Sequence, residues 1–310
     1  MTTSVGPPAS GAFLEVVRAG PATTVQDLGR PGLAALGVTR SGAADRRSLR
    51  LANRLVANPE GAAGLEVTLG GLAVRAGRDL DLAVTGAACP ITVDGRPAGR
   101  NAVLHVPAGR LVTLGPAAAG LRAYVAVRGG IDVAPVLGSR ARDTLAGLGP
   151  DVVRDGDRLP VGRPPDLPWP GVDLAPVADP PAGDVLLDAV AGPREGLVPD
   201  GVRAAMWSAR WVVDAASDRV GVRLAPPDAA TVASSGGSSG SSGSMASEGV
   251  VRGAVQVPPS GLPVVFLADH PVTGGYPVVA VLLDAAADRA AQLRPGQGVR
   301  FRRVRPPRLG

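Results

Sequence analysis

The sequence predicts a mainly β protein, built as two tandem barrel-like halves with a few short helices. Three observations carry that expectation. Gly (43) and Pro (31) together make up close to a quarter of the 310 residues, and they are dispersed among apolar runs rather than gathered in one tract. From Phe13 to about Leu159, short apolar runs alternate with turn signals roughly every 8–12 residues, the spacing of a barrel or sandwich. After a proline-rich interval the same rhythm resumes, so the length is read as two ordinary domains.

Residues 1–12 are small, polar and rich in Gly and Pro, and are expected to be disordered. The first half is placed at 13–160. Within it, Val93–Gly95 and Pro107–Gly109 read as hairpin turns. One segment breaks the strand rhythm: Asp45–Val56 puts Leu49, Ala52, Leu55 and Val56 on one face and most of its arginines on the other, an amphipathic helix. Ser41 or Asp45 is expected to cap it, and Asn58-Pro59 to end it. The stretch 161–183 has too many prolines for a central strand and is read as a crossover. The second half, 184–305, carries DVLLDAVAG, WVVDAASDRVGVRL, GAVQVP, PVVFLAD, VVAVLLD and GVRFRRV as strands, with a short helix at Asp284–Leu293. AVLHVPAGRLVTLG (102–115) looks like AVQVPPSGLPVVFLA (254–268), a hint of two similar barrels. SSGGSSGSSGS (234–244) is a flexible loop, and 306–310 a tail.

Missing residue types exclude whole chemistries. The sequence has no lysine, so a Walker A lysine, a Schiff base and a biotinyl-lysine are impossible within it. One cysteine, Cys89, forbids an internal disulfide. With two histidines, His105 and His270, it cannot build a Cys/His zinc site, and no metal site is expected. The net charge is +5 and the pI about 10.7, but the arginines are scattered and aromatics scarce, so neither nucleic acid nor membrane is expected as a partner. There is no signal-peptide pattern and no long apolar span, which predicts a cytoplasmic protein.

Four polar constellations stand out. Thr24–Arg30 leaves an early strand, where Gln26, Asp27 and Arg30 suit either a ligand or an internal Asp–Arg turn pair. Arg40-Ser41-Gly42 precedes the helix. Ser217–Gly221 places Arg219 either as an anion clamp or on an exposed hairpin. Richest is Ser247-Glu248-Gly249 with Gln256 and Asp269–Pro277, where paired glycines let backbone N–H groups approach a ligand. A serine hydrolase is not expected, since no G-x-S-x-G elbow exists. His105 and Cys89 read as structural residues.

The ordered motifs TVQDLGRPG (24–32), GVTRSGAAD (37–45), LANRLVAN (51–58), LEVTLGG (65–71), YVAVRGGIDVAPVLGSRARDTLAGLG (124–149), SDRVGVRL (217–224) and SEGVVRGAVQVPPSGLPVVFLADHPVTGGYP (247–277) resemble one family. It contains the 5-oxoprolinase C subunits, the KipA-type proteins and the A/B subdomains of biotin-dependent carboxyltransferases acting on urea, and its older name is allophanate hydrolase subunit 2. The resemblance spans residues 14–304. It implies two cyclophilin-like β-barrels and an ATP-dependent amidohydrolase subunit, active only with a KipI-type B subunit and an A subunit. That complex opens a small cyclic amide, 5-oxoproline, to glutamate by way of lactam phosphorylation, with ATP and Mg at the level of the complex. Two other activities exist within the resemblance: a carboxyltransferase half using carboxybiotin carried on another chain, and a regulatory binding protein.

Carried over by matching position, the resemblance implies that Arg219 is a charge clamp and that Gln256 and Asp269 orient substrate as catalytic residues. It assigns substrate or phosphate contacts to Gln26, Asp27, Ser41, Glu66 and Glu248, and to Thr273, Gly274, Gly275 and Tyr276 through N–H and hydroxyl groups. Arg30, Asp45, Arg128, Arg142 and Asp143 also match. His270-Pro271-Val272 departs from the usual Arg-Gln-Thr, Ala44 from a common Met and Val222 from a common Tyr.

Overall fold

The computed structural model describes residues 11–226 and 245–306; the expected disorder of residues 1–10, the 234–244 loop and all of the tail beyond Pro306 lie outside the described residues. The first half holds eleven strands: β1 (Phe13–Arg18), β2 (Ala22–Gln26), β3 (Gly64–Thr68), β4 (Ala73–Ala76), β5 (Leu80–Ala88), β6 (Ile91–Val93), β7 (Arg96–Ala98), β8 (Val103–Val106), β9 (Leu111–Leu114), β10 (Ala119–Val127) and β11 (Arg158–Pro160). They pair antiparallel in two sheets, β11-β1-β4-β9-β6-β7 and β2-β3-β10-β5-β8. Side chains alternate across a strand, so Leu14 and Val16, Leu65 and Val67, and Leu82 and Val84 all turn into one shared core.

The outer face of the second sheet is buried as well. There α1 (Arg46–Leu55) packs Ala52 and Leu55 against Ala83 of β5 and Ala126 of β10, and Leu49 against Tyr124. Asp45 is its N-cap, accepting from the Ser48 N–H at 3.0 Å, so capping falls to Asp45 and not to Ser41. Asp94 and Gly95 adopt φ of 47° and 77°, the left-handed pair of a primed turn, and join β6 to β7 as a hairpin. The Pro107–Gly109 turn corrects the second hairpin expectation: β8 pairs with β5 and β9 with β4 and β6, so the turn carries the chain from one sheet to the other.

The second half is a closed barrel of β12 (Val185–Ala191), β13 (Trp211–Val213), β14 (Gly221–Ala225), β16 (Ala254–Gln256), β17 (Val264–Phe266), β19 (Val278–Leu282) and β20 (Gly298–Arg303). A two-stranded β15 (Glu248–Gly249)–β18 (Thr273–Gly274) ribbon accompanies it. Its ring order is β12-β19-β16-β17-β14-β13-β20, closed by parallel pairing of β20 with β12. Leu187, Trp211, Val255, Val265, Val299 and Phe301 fill it. The likeness of 102–115 to 254–268 has no topological counterpart, because β16 and β17 pair with each other whereas β8 and β9 lie in different sheets.

Helix α2 (Asp200–Ser208) was not anticipated from the sequence, although Val202, Ala205 and Met206 recur at helical spacing and Met206 is buried in the barrel core. Helix α3 (Asp284–Ala290) is shorter than the predicted Asp284–Leu293, its C-cap being Ala291. The crossover 161–183 contains no strand. Arg128 stacks 4.4 Å over its Trp169 ring, Val103 N–H donates to Asp173 at 3.0 Å, and Arg100 pairs with Asp179. Cys89 is buried in the first core, whereas His105 is exposed with its Nδ1 2.6 Å from Asp81. Among the described residues no helix is long and apolar enough to cross a membrane.

Leu65, wholly buried between the first half's sheets, has no route to collapse if truncated. Leu65→Ala is expected to destabilise the protein by about 2–5 kcal/mol, read as a lower urea midpoint at unchanged slope.

Candidate functional site

Two chain segments cross in backbone contact where the halves meet. Gly29 (φ 80°) and Gly42 (φ 88°) lie so close that a Cβ on Gly42 would stand 2.6 Å from the Gly29 nitrogen, which only glycine permits. Arg30 N–H donates to the Arg40 carbonyl and Ala43 N–H to that of Asp27, both at 2.8 Å. This crossing presents Ser41 at a left-handed φ of 52°, with its hydroxyl donating to Asp269 Oδ1 at 2.6 Å.

Arg219 reaches this point from the turn between β13 and β14. The hairpin predicted there is real, but the side chain is buried rather than exposed. Its Nε and Nη2 donate to the two oxygens of Asp269 at 2.9 and 3.0 Å, its Nη2 also to the Gly42 carbonyl at 2.7 Å, and its Nη1 to Glu66 Oε1. Glu66 Oε2 accepts from the Ala44 N–H at 2.9 Å and the Tyr124 hydroxyl at 2.8 Å. Asp269 Oδ2 accepts further from the Thr144 N–H and hydroxyl. Burial works to raise both carboxyls, but Arg219, helped by Arg122 at Glu66 and by Ser41 and Thr144 at Asp269, holds each below its ordinary value. Those same carboxylates hold Arg219 charged against its own burial.

The network continues through Tyr124, which accepts from the Asp45 N–H at 2.8 Å and whose hydroxyl burial pushes well above its usual value. Gln292 of the second half donates to Asp45 Oδ2 at 2.7 Å and to the Arg122 carbonyl at 2.9 Å. Burial, with the neighbouring Asp288 charge, pushes the Asp45 carboxyl up.

The remaining predicted residues divide into two groups. Gln26 donates to Thr24 and to the Arg142 carbonyl, and Asp27 accepts from Gly29 N–H, the Ser139 hydroxyl and Arg140 N–H; no Asp27–Arg30 pair forms, Arg30 turning instead to the Ala141 carbonyl. Asp143 accepts from Thr39, and Arg128 serves the crossover. All of these but Arg128 brace the 134–149 loop beside Ser41. Gln256 lies instead under the β15–β18 ribbon, donating to the Tyr276 carbonyl at 2.9 Å and sitting so close that a Cβ on Gly274 would meet its Nε2 at 2.5 Å. Thr273 and Gly274 form one strand of this ribbon, Gly275 and Tyr276 follow it, and Glu248 is ion-paired there with Arg194. The structure therefore brings Ser41, Glu66, Arg219 and Asp269 together and leaves Glu248 and Thr273–Tyr276, with Gln256 buried beneath them, outside that network.

Sequence reasoning missed the cleft that opens beside the network. About 850 Å³ of space, part of it open to solvent, lies between the start of α1, α3 and the crossover. Asp45 and Gln292 stand where it meets the network, Leu51, Pro180, Val185 and Leu293 supply apolar wall, and Arg47, Arg100 and Arg289 supply positive charge. Its walls come from five separate stretches of chain, so no local motif marks it. A partly apolar cleft between the two halves, lined by Arg47, Arg100 and Arg289 and equally by Asp45, Asp179 and Asp288, suits a small polar molecule.

Replacing Arg219 strands two buried carboxylates, so Arg219→Met is expected to cost about 3–5 kcal/mol in urea denaturation at pH 7. Both carboxyls titrate lower folded than unfolded, where they titrate near pH 4. The stability they supply is therefore complete above about pH 4 and lost as pH falls through the folded values, so the deficit of Arg219→Met should shrink in acid.

Residues 36–303 match the carboxyltransferase domain, subdomain A and B family. The chain is 35% identical over 292 residues to the C subunit of the Escherichia coli 5-oxoprolinase, covering 93% of this chain and 90% of that protein. It is 33% identical over 308 residues to the urea amidolyase of Lachancea kluyveri, covering 93% of this chain but 17% of that one. The crystal structure of the Kluyveromyces lactis urea carboxylase superposes with a TM-score of 0.82 at 27% identity, over 97% of this chain and 28% of that one. The chain belongs to the carboxyltransferase subdomain A and B family, together with 5-oxoprolinase C subunits and a region of the urea-processing enzymes.

Proposed function

We propose that this chain is the C subunit of a cytoplasmic, ATP-dependent 5-oxoprolinase, converting 5-oxoproline to glutamate together with KipI-type B and A subunits. The observation that carries the reading is the nearly end-to-end similarity to the Escherichia coli subunit, set against a match to only 17% of the urea amidolyase. The cleft supports it, because 5-oxoproline is a small anionic amide with an apolar ring. In this reading Arg47, which has no carboxylate partner among the described residues, anchors the substrate carboxylate through its planar fork, while Asp45 and Ser48 hydrogen-bond the amide. ATP, with Mg at the level of the complex, supplies the phosphoryl group that makes the lactam carbon electrophilic and its nitrogen a better leaving group. Arg47 on the cleft wall fits the negative charge that such chemistry develops.

Arg219 and Asp269 have their polar atoms taken up within the chain, and they act as positioning residues that fix the Ser41–Asp45 segment beside the cleft. Glu66 and Ser41 complete that frame, and Gln26 and Asp27 brace its loops. Gln256 holds the Thr273–Tyr276 turn, whose N–H groups and Tyr276 hydroxyl are offered to phosphate at the face shared with the B subunit, while Glu248 holds Arg194 beside them. A second reading, a carboxyltransferase half using carboxybiotin borne by another chain, draws on the likeness to the urea carboxylase fold.

With this chain co-purified with its B and A partners, glutamate release from 5-oxoproline is expected to require ATP and to vanish when this chain is omitted. Arg47→Gln should raise KM for 5-oxoproline by about tenfold or more with a smaller change in kcat. A well-formed complex without glutamate release, carrying an avidin-reactive partner, overturns this reading in favour of the carboxyltransferase.

A further inference from the structure

Beside the cleft, of which Asp288 is also a lining residue, three stretches converge: the crossing at Arg40–Arg46, the turn at Val250–Arg252 and the segment following Asp269. Asp288 Oδ1 ties two of them, accepting from the Arg46 N–H at 3.0 Å and from Arg252 Nη2 at 2.6 Å; Arg252 Nη2 also donates to the Ala44 carbonyl at 2.7 Å. Val250 N–H donates to the Val272 carbonyl at 3.0 Å, and the Ser41–Asp269 bond brings in the third.

The side chains gathered here are unevenly matched. Asp269 is consumed by Arg219 and Asp288 by Arg252. The Arg46 guanidinium has no acceptor among the described residues, and its Nε, like that of Arg252, is buried with no partner. Arg40, exposed at the rim, uses only its Nε, on the Leu28 carbonyl at 3.0 Å. Burial, then the charges of Arg252 and Arg40, push Arg46 down to about 10, outweighing Asp288 and the exposed Asp284. His270 Nδ1 lies 2.7 Å from the Pro271 carbonyl, which can only accept, so the ring proton resides on Nδ1 and Nε2 is left as the free nitrogen. Burial lowers the His270 value, Arg46 and Arg252 lower it further, and Asp269 and the Pro271 carbonyl oppose them, so the ring is neutral at pH 7.

We propose that Arg46, Arg252 and His270, with Arg40 at the rim, form a binding site for a dianionic tetrahedral oxyanion, a phosphoryl group, distinct from the cleft. Planar guanidinium groups present several N–H donors to such a group, and the unpaired Arg46 is the donor that protein contacts leave unused. Bound dianion offsets the arginine repulsion at His270, so its Nε2 takes up a proton and donates to the anion. The charges that act on that ring are those of Arg46, Arg252 and Asp269, while Arg40, Asp284 and Asp288 act on Arg46; an imidazole is the side chain whose charge ordinarily changes near neutral pH. The inference stands on the chain alone and does not need the 5-oxoprolinase reading.

The test is calorimetric titration of the full chain, without partners, using sulfate, which stays dianionic from pH 6 to 8. Sulfate is expected to bind, more tightly at pH 6 than at pH 8. Arg46→Met should weaken it about tenfold or more at both pH values, and His270→Gln should retain binding while losing its pH dependence. Inorganic phosphate and ATP distinguish the source of the group: competition by phosphate alone assigns a free anion, and competition by both a nucleotide phosphoryl. Circular dichroism confirms that the variants fold. No saturable sulfate binding by the native chain, or equal binding by folded Arg46→Met, overturns the site.

Discussion

A single guanidinium, that of Arg219, sets how the two halves of this protein meet. It is rooted in the second half, shares Asp269 with its own barrel and reaches Glu66 on a strand of the first. Buried charge of this kind adds little net stability over a well-packed apolar contact, because desolvation cancels much of the attraction. What it supplies is geometry. Two carboxylates with every oxygen engaged, and a planar cation with all three nitrogens engaged, tolerate little sliding or rotation of one half against the other. Tyr124, Asp45 and Gln292 extend the same constraint to the edge of the cleft.

The cleft depends on that frame. One wall starts from α1 and another from α3, which belong to different halves, so its width follows from the relative pose that Arg219 fixes. Asp45 belongs to both systems: it caps α1, accepts from Gln292 across the junction and stands at the cleft. A helix cap, worth about 1 kcal/mol on its own, thus also ties helix position to cleft shape.

Much of the architecture was legible in the sequence because it rests on local periodicity. The strand rhythm, the amphipathic α1 and the crossover are all written in spacing and in proline. Helix α2 escaped because it is short and sits between two strand-like runs. The junction was harder. DRVG reads as an exposed turn, and nothing near Arg219 tells that its partner Glu66 lies 153 residues away. Ser41, Arg219 and Asp269 stand in polar constellations visible in the sequence and Glu66 was added by resemblance, whereas Arg46, Arg47 and Arg252 look like ordinary surface arginines until the fold assembles them. Gln256 and Thr273–Tyr276 lie close to Asp269 in the chain but are carried by the barrel outside the Arg219 network.

The parallel pairing of β20 with β12 has a consequence for how the protein is made. The second barrel is a ring whose last stave, residues 298–303, seals against its first, residues 185–191. During translation no preceding segment can substitute, so the ring stays open until about residue 303 has cleared the ribosome. Glu66 and Tyr124 are synthesised long before the Arg219 and Gln292 that complete their surroundings, and the first half alone leaves Glu66 without its Arg219 partner. Completion of the junction thus waits on the second half, because Arg219, Asp269 and Gln292 are all made after Glu66 and Tyr124.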